Sequence, residues 1–254
     1  RWRLFNRTGG GLMAELGSHQ LDACSIFVAR GIYGGAQKHV HPLAVSGVGV
    51  KSFYEDEREA DDHVFSTFEF PGPNYGKTTN RDDVVVVTYS SINTNSFEQY
   101  GETVYGTRGT MIVEREAEVF QFKENGPGSP SPKPAAATNI AVKEAPAGKP
   151  VIETSPSPGA ATPQAAIALT GQVSKGYREE MEHFAYQVKN FSPGDYEELT
   201  NQLRCNGTVA MGDAVIALVS NMAMKQRRRI EFKESWFDPK SPEVPEEGGE
   251  VARS

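Results

Sequence analysis

The sequence predicts an α+β fold: a large, mainly antiparallel open β-sheet with helices on one face. Six runs rich in Val, Phe, Tyr, Ile and Thr follow one another between residues 43 and 123, and such side chains suit a half-buried pleated surface. Segments with apolar residues at helical spacing lie on either side of them. No strand leads into a Gly-x-Gly-x-x-Gly at the head of a helix, so the chain carries no dinucleotide-binding βαβ fingerprint.

The first helix is expected over residues 10–29, where Leu12, Leu16, Leu21, Ile26 and Phe27 recur at helical spacing. Gly9-Gly10-Gly11 reads as a turn into it rather than a phosphate cradle, because a Trp- and Arg-containing lead precedes it instead of a buried strand. Gly31 and Gly34-Gly35 are its expected stop. The six strands are expected at 43–53, 63–70, 83–91, 97–105, 110–115 and 118–123, with Gly72-Pro73-Asn74 as a turn and Gly106 to Gly109 as a tight hairpin connection.

Composition then changes. Residues 125–172 are dominated by Pro, Ala, Gly, Ser and Thr, which suggests an inserted, mobile loop unable to bury enough apolar surface to become ordered. Helices are expected over 176–190, with Tyr177, Met181, Phe184 and Val188 as its apolar stripe, and over 203–225; a closing strand is expected over 229–233. The expected organisation is therefore one domain from 1–124 and 173–239, the 125–172 loop, and a flexible tail at 240–254.

The chain has 254 residues, 38% of them hydrophobic and 23% charged, enough for one sizeable core of an ordinary soluble protein. With a formal charge of -7 and basic residues scattered outside Lys225 to Arg229, no nucleic-acid partner is expected. That basic run ends a helix, where cations suit the dipole, so a structural role is favoured over a phosphate site. Cys24 and Cys205 lie far apart and read as buried thiols rather than a disulfide framework. No membrane span is expected. Residue 1 is Arg rather than Met, so the native amino terminus is expected upstream; the expected compartment is the cytoplasm, with export of the parent protein left open.

The segment most suggestive of chemistry is Glu15, Gly17, His19 and Asp22. On a helix, Glu15 and His19 are four apart and Asp22 is three further on, so two carboxylates and an imidazole share a face. An imidazole can accept an alcohol proton while hydride leaves the same carbon, and a nearby carboxylate can fix its tautomer. Gly17 is expected to keep the surface clear for a ligand. A surface or capping network is the competing reading of the same triplet.

His39 and His41, with His19 and His63, suggest a metal site, but Pro42 favours a loop there and no metal is expected. The acidic stretch from Glu55 to Asp62 reads as a solvated loop. Among Tyr89, Phe97, Tyr100 and Tyr105, which suit a sheet core, Tyr100 is the one expected to face a pocket; Arg81 and Asn95 fall in loops with no fixed direction.

Gly9-Gly10-Gly11, Glu15, Gly17, His19 and Asp22 together resemble the Gfo/Idh/MocA oxidoreductase family, the relatives of glucose-fructose oxidoreductase and inositol dehydrogenase. The resemblance continues through residues 102–113 and Phe237-Asp238-Pro239. It implies the carboxyl-terminal domain of a two-domain enzyme whose NAD or NADP is bound mainly by an amino-terminal Rossmann domain not in this sequence. It also implies a carbohydrate or polyol substrate and a homo-oligomer formed through the sheet. Glu15 and His19 match the family's acidic residue and histidine and are the expected catalytic pair; Asp22, with an orienting role, and Tyr100 are the expected substrate contacts. The family's usual catalytic lysine lies in a Glu-Lys-Pro motif absent here, and its acidic position is more often aspartate than glutamate. A noncatalytic sheet-mediated binding or dimerisation module, and a keto-sugar eliminase or hydrolase recycling its NAD, remain open.

Overall fold

The computed structural model describes residues 1–6, 8–33, 39–77, 83–94, 101–106, 109–114, 118–123, 138–144, 150–156, 177–191, 194 and 203–245. Its strands are β1 (Ala44–Val50), β2 (His63–Pro71), β3 (Val84–Ile92), β4 (Gly101–Gly106), β5 (Gly109–Glu114), β6 (Glu118–Lys123), β7 (Thr138–Glu144), β8 (Pro150–Pro156) and β9 (Ile230–Glu231). The helices are α1 (Ser18–Tyr33), α2 (Tyr177–Asn190) and α3 (Gly207–Gln226). A π-type turn, Met13–Gly17, precedes α1, and short 3-10 turns stand at Trp2–Leu4 and Glu234–Phe237. The chain divides into two compact units, Arg1–Thr107 with Gly207–Ser254, and Arg108–Asn206.

In the first unit the strand order is β9-β1-β2-β3-β4, and every described ladder is antiparallel. The α+β fold with an open antiparallel sheet agrees with the sequence. Alternation in β2 sets its two faces, with Val64, Ser66, Phe68 and Phe70 buried and Phe65 and Thr67 exposed. Phe68 and Phe70 are completely buried, and each contributes roughly 2–3 kcal/mol of burial.

The helices cover the inner face. On α1 the buried positions Leu21, Cys24, Ser25, Val28 and Ala29 repeat at three- and four-residue steps, which makes one stripe on the helix. On α3 the buried stripe includes Gly212, Ala217, Ser220 and Ala223, small residues that let the helix approach β1 and α1 closely. Gly47 in β1 completes that fit, because a Cβ there would stand 2.9 Å from Met224 Cγ. By length and composition α3 is the one helix among the described residues that is apolar enough to cross a membrane. No span was expected, and the buried stripe that packs on β1 accounts for this helix as part of the unit's core.

The second unit carries β5-β6-β7-β8 in that order, antiparallel throughout, together with α2. The β7 and β8 pair corrects the expectation of an unstructured 125–172 loop. Within that Pro- and Ala-rich composition, residues 138–144 and 150–156 hold short runs containing Ile140, Val142, Val151, Ile152 and Thr154, and the structure pairs them in register from Thr138↔Pro156 to Glu144↔Pro150. Average composition concealed a local β pattern. On α2, Tyr177, Met181, Phe184 and Val188 form the expected apolar stripe, and all four side chains are exposed.

Three further expectations change. The first helix begins with the π-type turn and runs through Gly31 to Tyr33, because Val28 and Ala29 are still buried one turn earlier. Cys205 is exposed rather than buried, since α3 starts at Gly207 and leaves it ahead of the helix. The stretch from Glu55 to Asp62 is not uniformly solvated: Asp62 is fully buried, and its carboxylate accepts the backbone N–H groups of Ser52, Phe53 and Tyr54 at 2.8–3.3 Å. Arg58 is held by Asp56 through two hydrogen bonds of 2.7 Å and lies over the Tyr54 ring.

Candidate active site

The glycine run turns the chain into the first helical segment. Gly10 and Gly11 have φ of 71° and 68°, in the left-handed region that favours glycine. The Gly10 carbonyl accepts a 2.7 Å hydrogen bond from Asn221 on α3, and a Cβ on Gly9 would stand 2.9 Å from the Arg3 backbone. All three glycines therefore serve internal packing and the turn, with no phosphate cradle among them.

The π-type turn then carries Glu15, and α1 carries His19 and Asp22. Glu15 is half-buried, with one carboxylate oxygen 3.2 Å from Arg3 Nε. His19 is exposed and stands one helical turn before Asp22. Burial raises the Asp22 carboxyl above the usual aspartate range, with His39 and then His19 acting in the opposite direction. Glu15 Oε1, Asp22 Oδ1 and the side-chain amide oxygen Oε1 of the 3% exposed Gln20 are buried acceptors with no hydrogen-bond partner among the described residues.

Gly17 has a different role from the one expected. It is buried, and a Cβ there would stand 3.3 Å from Met13 Cε and from Cε1 and Cζ of Tyr89. Its missing side chain admits the tyrosine ring of β3 rather than clearing a surface for a ligand. Tyr89 is accordingly in the core, whereas Tyr105 is exposed; Arg81, Asn95, Phe97 and Tyr100 lie outside the described residues.

Sequence reasoning missed Asp213. It lies in the first half of α3, the helix packed on α1, and its carboxyl is pushed up to about 7, first by burial and then by Asp22. Asp213 is the one acidic residue in the otherwise largely apolar α3, which was the available signal.

Next to Asp213, Gly212 faces His41: a Cβ at that glycine would come 3.4 Å from His41 Nε2. The His41 ring stacks on Phe237 at 3.6 Å between centroids and 6° between planes. Burial lowers the His41 pKa, Glu234 opposes that, and His39 lowers it further. Among the described residues no group of three or more His, Cys, Asp or Glu is placed to hold a metal.

The raised Asp213 carboxyl has a consequence for stability. Between the ordinary carboxylate range and pH 7 the folded chain binds more protons at this group than the unfolded chain, so stability falls as pH rises through that window. Asp213→Asn removes the ionising group. It is expected to match the wild type near pH 4 and to exceed it at pH 8 by about 1–2 kcal/mol, a figure reduced because the carboxyl remains partly solvated. Urea denaturation at the two pH values checks this.

No family model matches the sequence, and no curated protein does. Solved structures do match. The oxidoreductase domain protein from Kribbella flavida is 12% identical, with a TM-score of 0.51, over 92% of this chain and 55% of that one. Levoglucosan dehydrogenase in complex with NADH is 16% identical, with a TM-score of 0.50, over 92% of this chain and 53% of that one. The chain thus has a fold found in part of these oxidoreductases, and it spans about half their length. The resemblance drawn from the motif residues is met at the level of fold.

Proposed function

We propose that this chain is the substrate-binding and catalytic portion of an NAD(P)-dependent oxidoreductase acting on a secondary alcohol of a sugar, sugar acid or cyclitol. The observation that supports the reading is His19, exposed on α1 one helical turn before the half-buried Asp22, in a fold shared with an NADH-bound levoglucosan dehydrogenase. The glycine run offers no cradle for the cofactor's phosphates, so the reading places the nicotinamide mainly on an amino-terminal Rossmann domain of the parent protein. When bound, that group supplies the hydride acceptor or donor.

The residues of this chain handle the proton and the alcohol. His19 Nε2 or Nδ1 accepts the hydroxyl proton during oxidation and returns it during reduction. Asp22 stabilises the imidazolium that forms, as a carboxylate one helical turn away does. Glu15 binds a neighbouring hydroxyl, with its ion pair to Arg3 setting the direction of the carboxylate. Tyr100 is proposed as a further substrate contact. Self-association through the outer sheet face belongs to the same reading, with the exposed Val48, Val50 and Phe65 as its apolar contacts.

The test is to follow nicotinamide absorbance and sugar products together in the parent protein, across a panel of polyols and sugars. Equal amounts of reduced cofactor and oxidised product are expected. Product without net cofactor change would replace the dehydrogenase by an eliminase or hydrolase that recycles NAD. Neither signal with any substrate would favour a noncatalytic module.

A further inference from the structure

The two faces of α2 are inverted relative to a helix that covers a core. Its inward side is polar: Glu179 and His183 are half-buried and Gln187 is buried, with Gln187 Nε2 donating to His183 Nε2 at 3.2 Å. Its outward side is apolar, with Tyr177, Met181, Phe184 and Val188 exposed by 70, 63, 60 and 63%. A surface helix ordinarily turns its apolar stripe to the core. A contiguous apolar patch left open to solvent marks an interaction surface.

The spacing of that stripe identifies a helix as its partner. Tyr177, Met181, Phe184 and Val188 follow one another at steps of four, three and four residues, and Phe191, just past the helix, adds a further step of three. This 3.5-residue period draws the narrow seam along which two helices pack knobs into holes. A helix that covers a sheet carries a broader stripe, as α1 does with Leu21, Cys24, Ser25, Val28 and Ala29.

The order of the side chains along the seam is self-complementary in one direction. When two copies of α2 run antiparallel, Tyr177 meets Val188 of the second copy and Met181 meets Phe184, so every layer sets an aromatic ring against an aliphatic chain. A parallel pair would instead set Tyr177 against Tyr177 and Val188 against Val188, with poorer use of volume. Charge agrees with the antiparallel pairing, because the first turn of α2 carries Glu179 and Glu180 and the last turn carries Lys189. Arg178 is held on its own helix by Glu182 at 2.7 Å. Each acidic end therefore lies beside the basic end of the other copy. Two aromatic and two aliphatic side chains offer roughly 500 Å² per chain, so the pair buries about 1,000 Å², the size at which a specific interface begins.

We infer that α2 pairs antiparallel with the α2 of a second copy of this chain, through the seam formed by Tyr177, Met181, Phe184 and Val188. The surface lies within the second unit and uses none of the residues of the outer sheet face of the first. It stands independently of the redox reading.

The experiment follows mass against concentration by analytical ultracentrifugation, with circular dichroism to confirm that each variant is folded. Phe65→Glu, which places a charge on the outer sheet face, isolates the helix contact. The Phe65→Glu chain is expected to remain dimeric, and adding Phe184→Glu is expected to weaken that dimer about tenfold or more. Adding Met181→Lys instead should weaken it similarly. Mixing the Phe184→Glu and Met181→Lys chains should restore the dimer, because the antiparallel register sets the new carboxylate against the new ammonium. A Phe65→Glu chain that is monomeric at every concentration would overturn the proposal, as would a folded Phe184→Glu chain that dimerises as its parent does. No recovery on mixing would overturn the antiparallel register and the proposal with it. A monomeric chain whose melting temperature falls on Phe184→Glu would show that this face is covered within the chain itself, which overturns it as well.

Discussion

Asp62→Ala is expected to destabilise the chain by about 3–5 kcal/mol, the cost of stripping a buried charge network of its centre. The carboxylate is completely buried and gathers the N–H groups of Ser52, Phe53 and Tyr54. It also accepts from His63 Nδ1 at 2.5 Å, and His63 Nε2 faces the Thr94 hydroxyl at 3.3 Å. Alanine leaves those donors without their acceptor beside β2.

Burial by itself would raise the Asp62 pKa, but the hydrogen bonds from His63, Phe53, Tyr54 and Ser52 outweigh it and hold the group at about 2. A carboxyl lowered in the folded state contributes stability that is present above its unfolded pKa and is lost as pH falls through the folded value. The wild type should therefore lose part of its stability between about pH 4 and pH 2, and Asp62→Ala should lack that part of the acid transition. Urea denaturation from pH 7 to pH 2 measures both effects. A loss below about 1 kcal/mol at pH 7 would mean that water or a rearranged loop satisfies the freed donors.

The second large effect is on turnover. In the parent protein with its cofactor, His19→Ala is expected to lower kcat by about 10²- to 10⁴-fold, the usual contribution of a positioned acid-base group. On the proposed reading nicotinamide affinity should hardly change, because that reading assigns the imidazole to a proton on the substrate. Steady-state kinetics with cofactor titration separate the two quantities. Equal turnover in the variant would remove His19 from the chemistry.

Much of the sheet was legible because alternation marks a half-buried strand directly. In β2 the buried Val64, Ser66, Phe68 and Phe70 alternate with outward-facing residues over nine positions, and its sequence limits differ by one residue from those observed. The helices were legible as elements but less so at their ends. The first turn of the α1 region is a π-type turn that apolar spacing does not distinguish from an α-helical one, and Gly31 does not stop α1. The β7 and β8 hairpin was hidden because a Pro- and Ala-rich average masked two short β-branched runs.

Of the candidate site, the helical placement of His19 and Asp22 was legible from local spacing. His19 and Asp22 are three apart on α1, so local spacing suffices for them, whereas Glu15 stands on the π-type turn ahead of that helix. Asp213 is nearly two hundred residues away in sequence, and only the packing of α3 on α1 brings its charge to bear on Asp22. Gly17 shows the converse error. By sequence a glycine on a helix suggests an opening toward solvent, but the direction of its absent side chain depends on which face β3 covers, and the Tyr89 ring fills that space. The buried role of Asp62 was obscured in the same way, because its acidic neighbours Glu55, Asp56, Glu57 and Glu59 are those of a solvated loop.

The most direct measurement is a structure of the parent protein with nicotinamide cofactor and a polyol bound. The reactive hydroxyl is expected within about 2.6–3.2 Å of a His19 ring nitrogen, with Asp22 behind the imidazole and Glu15 on an adjacent hydroxyl. A polyol bound beside the nicotinamide while His19 faces open solvent away from it would contradict the account.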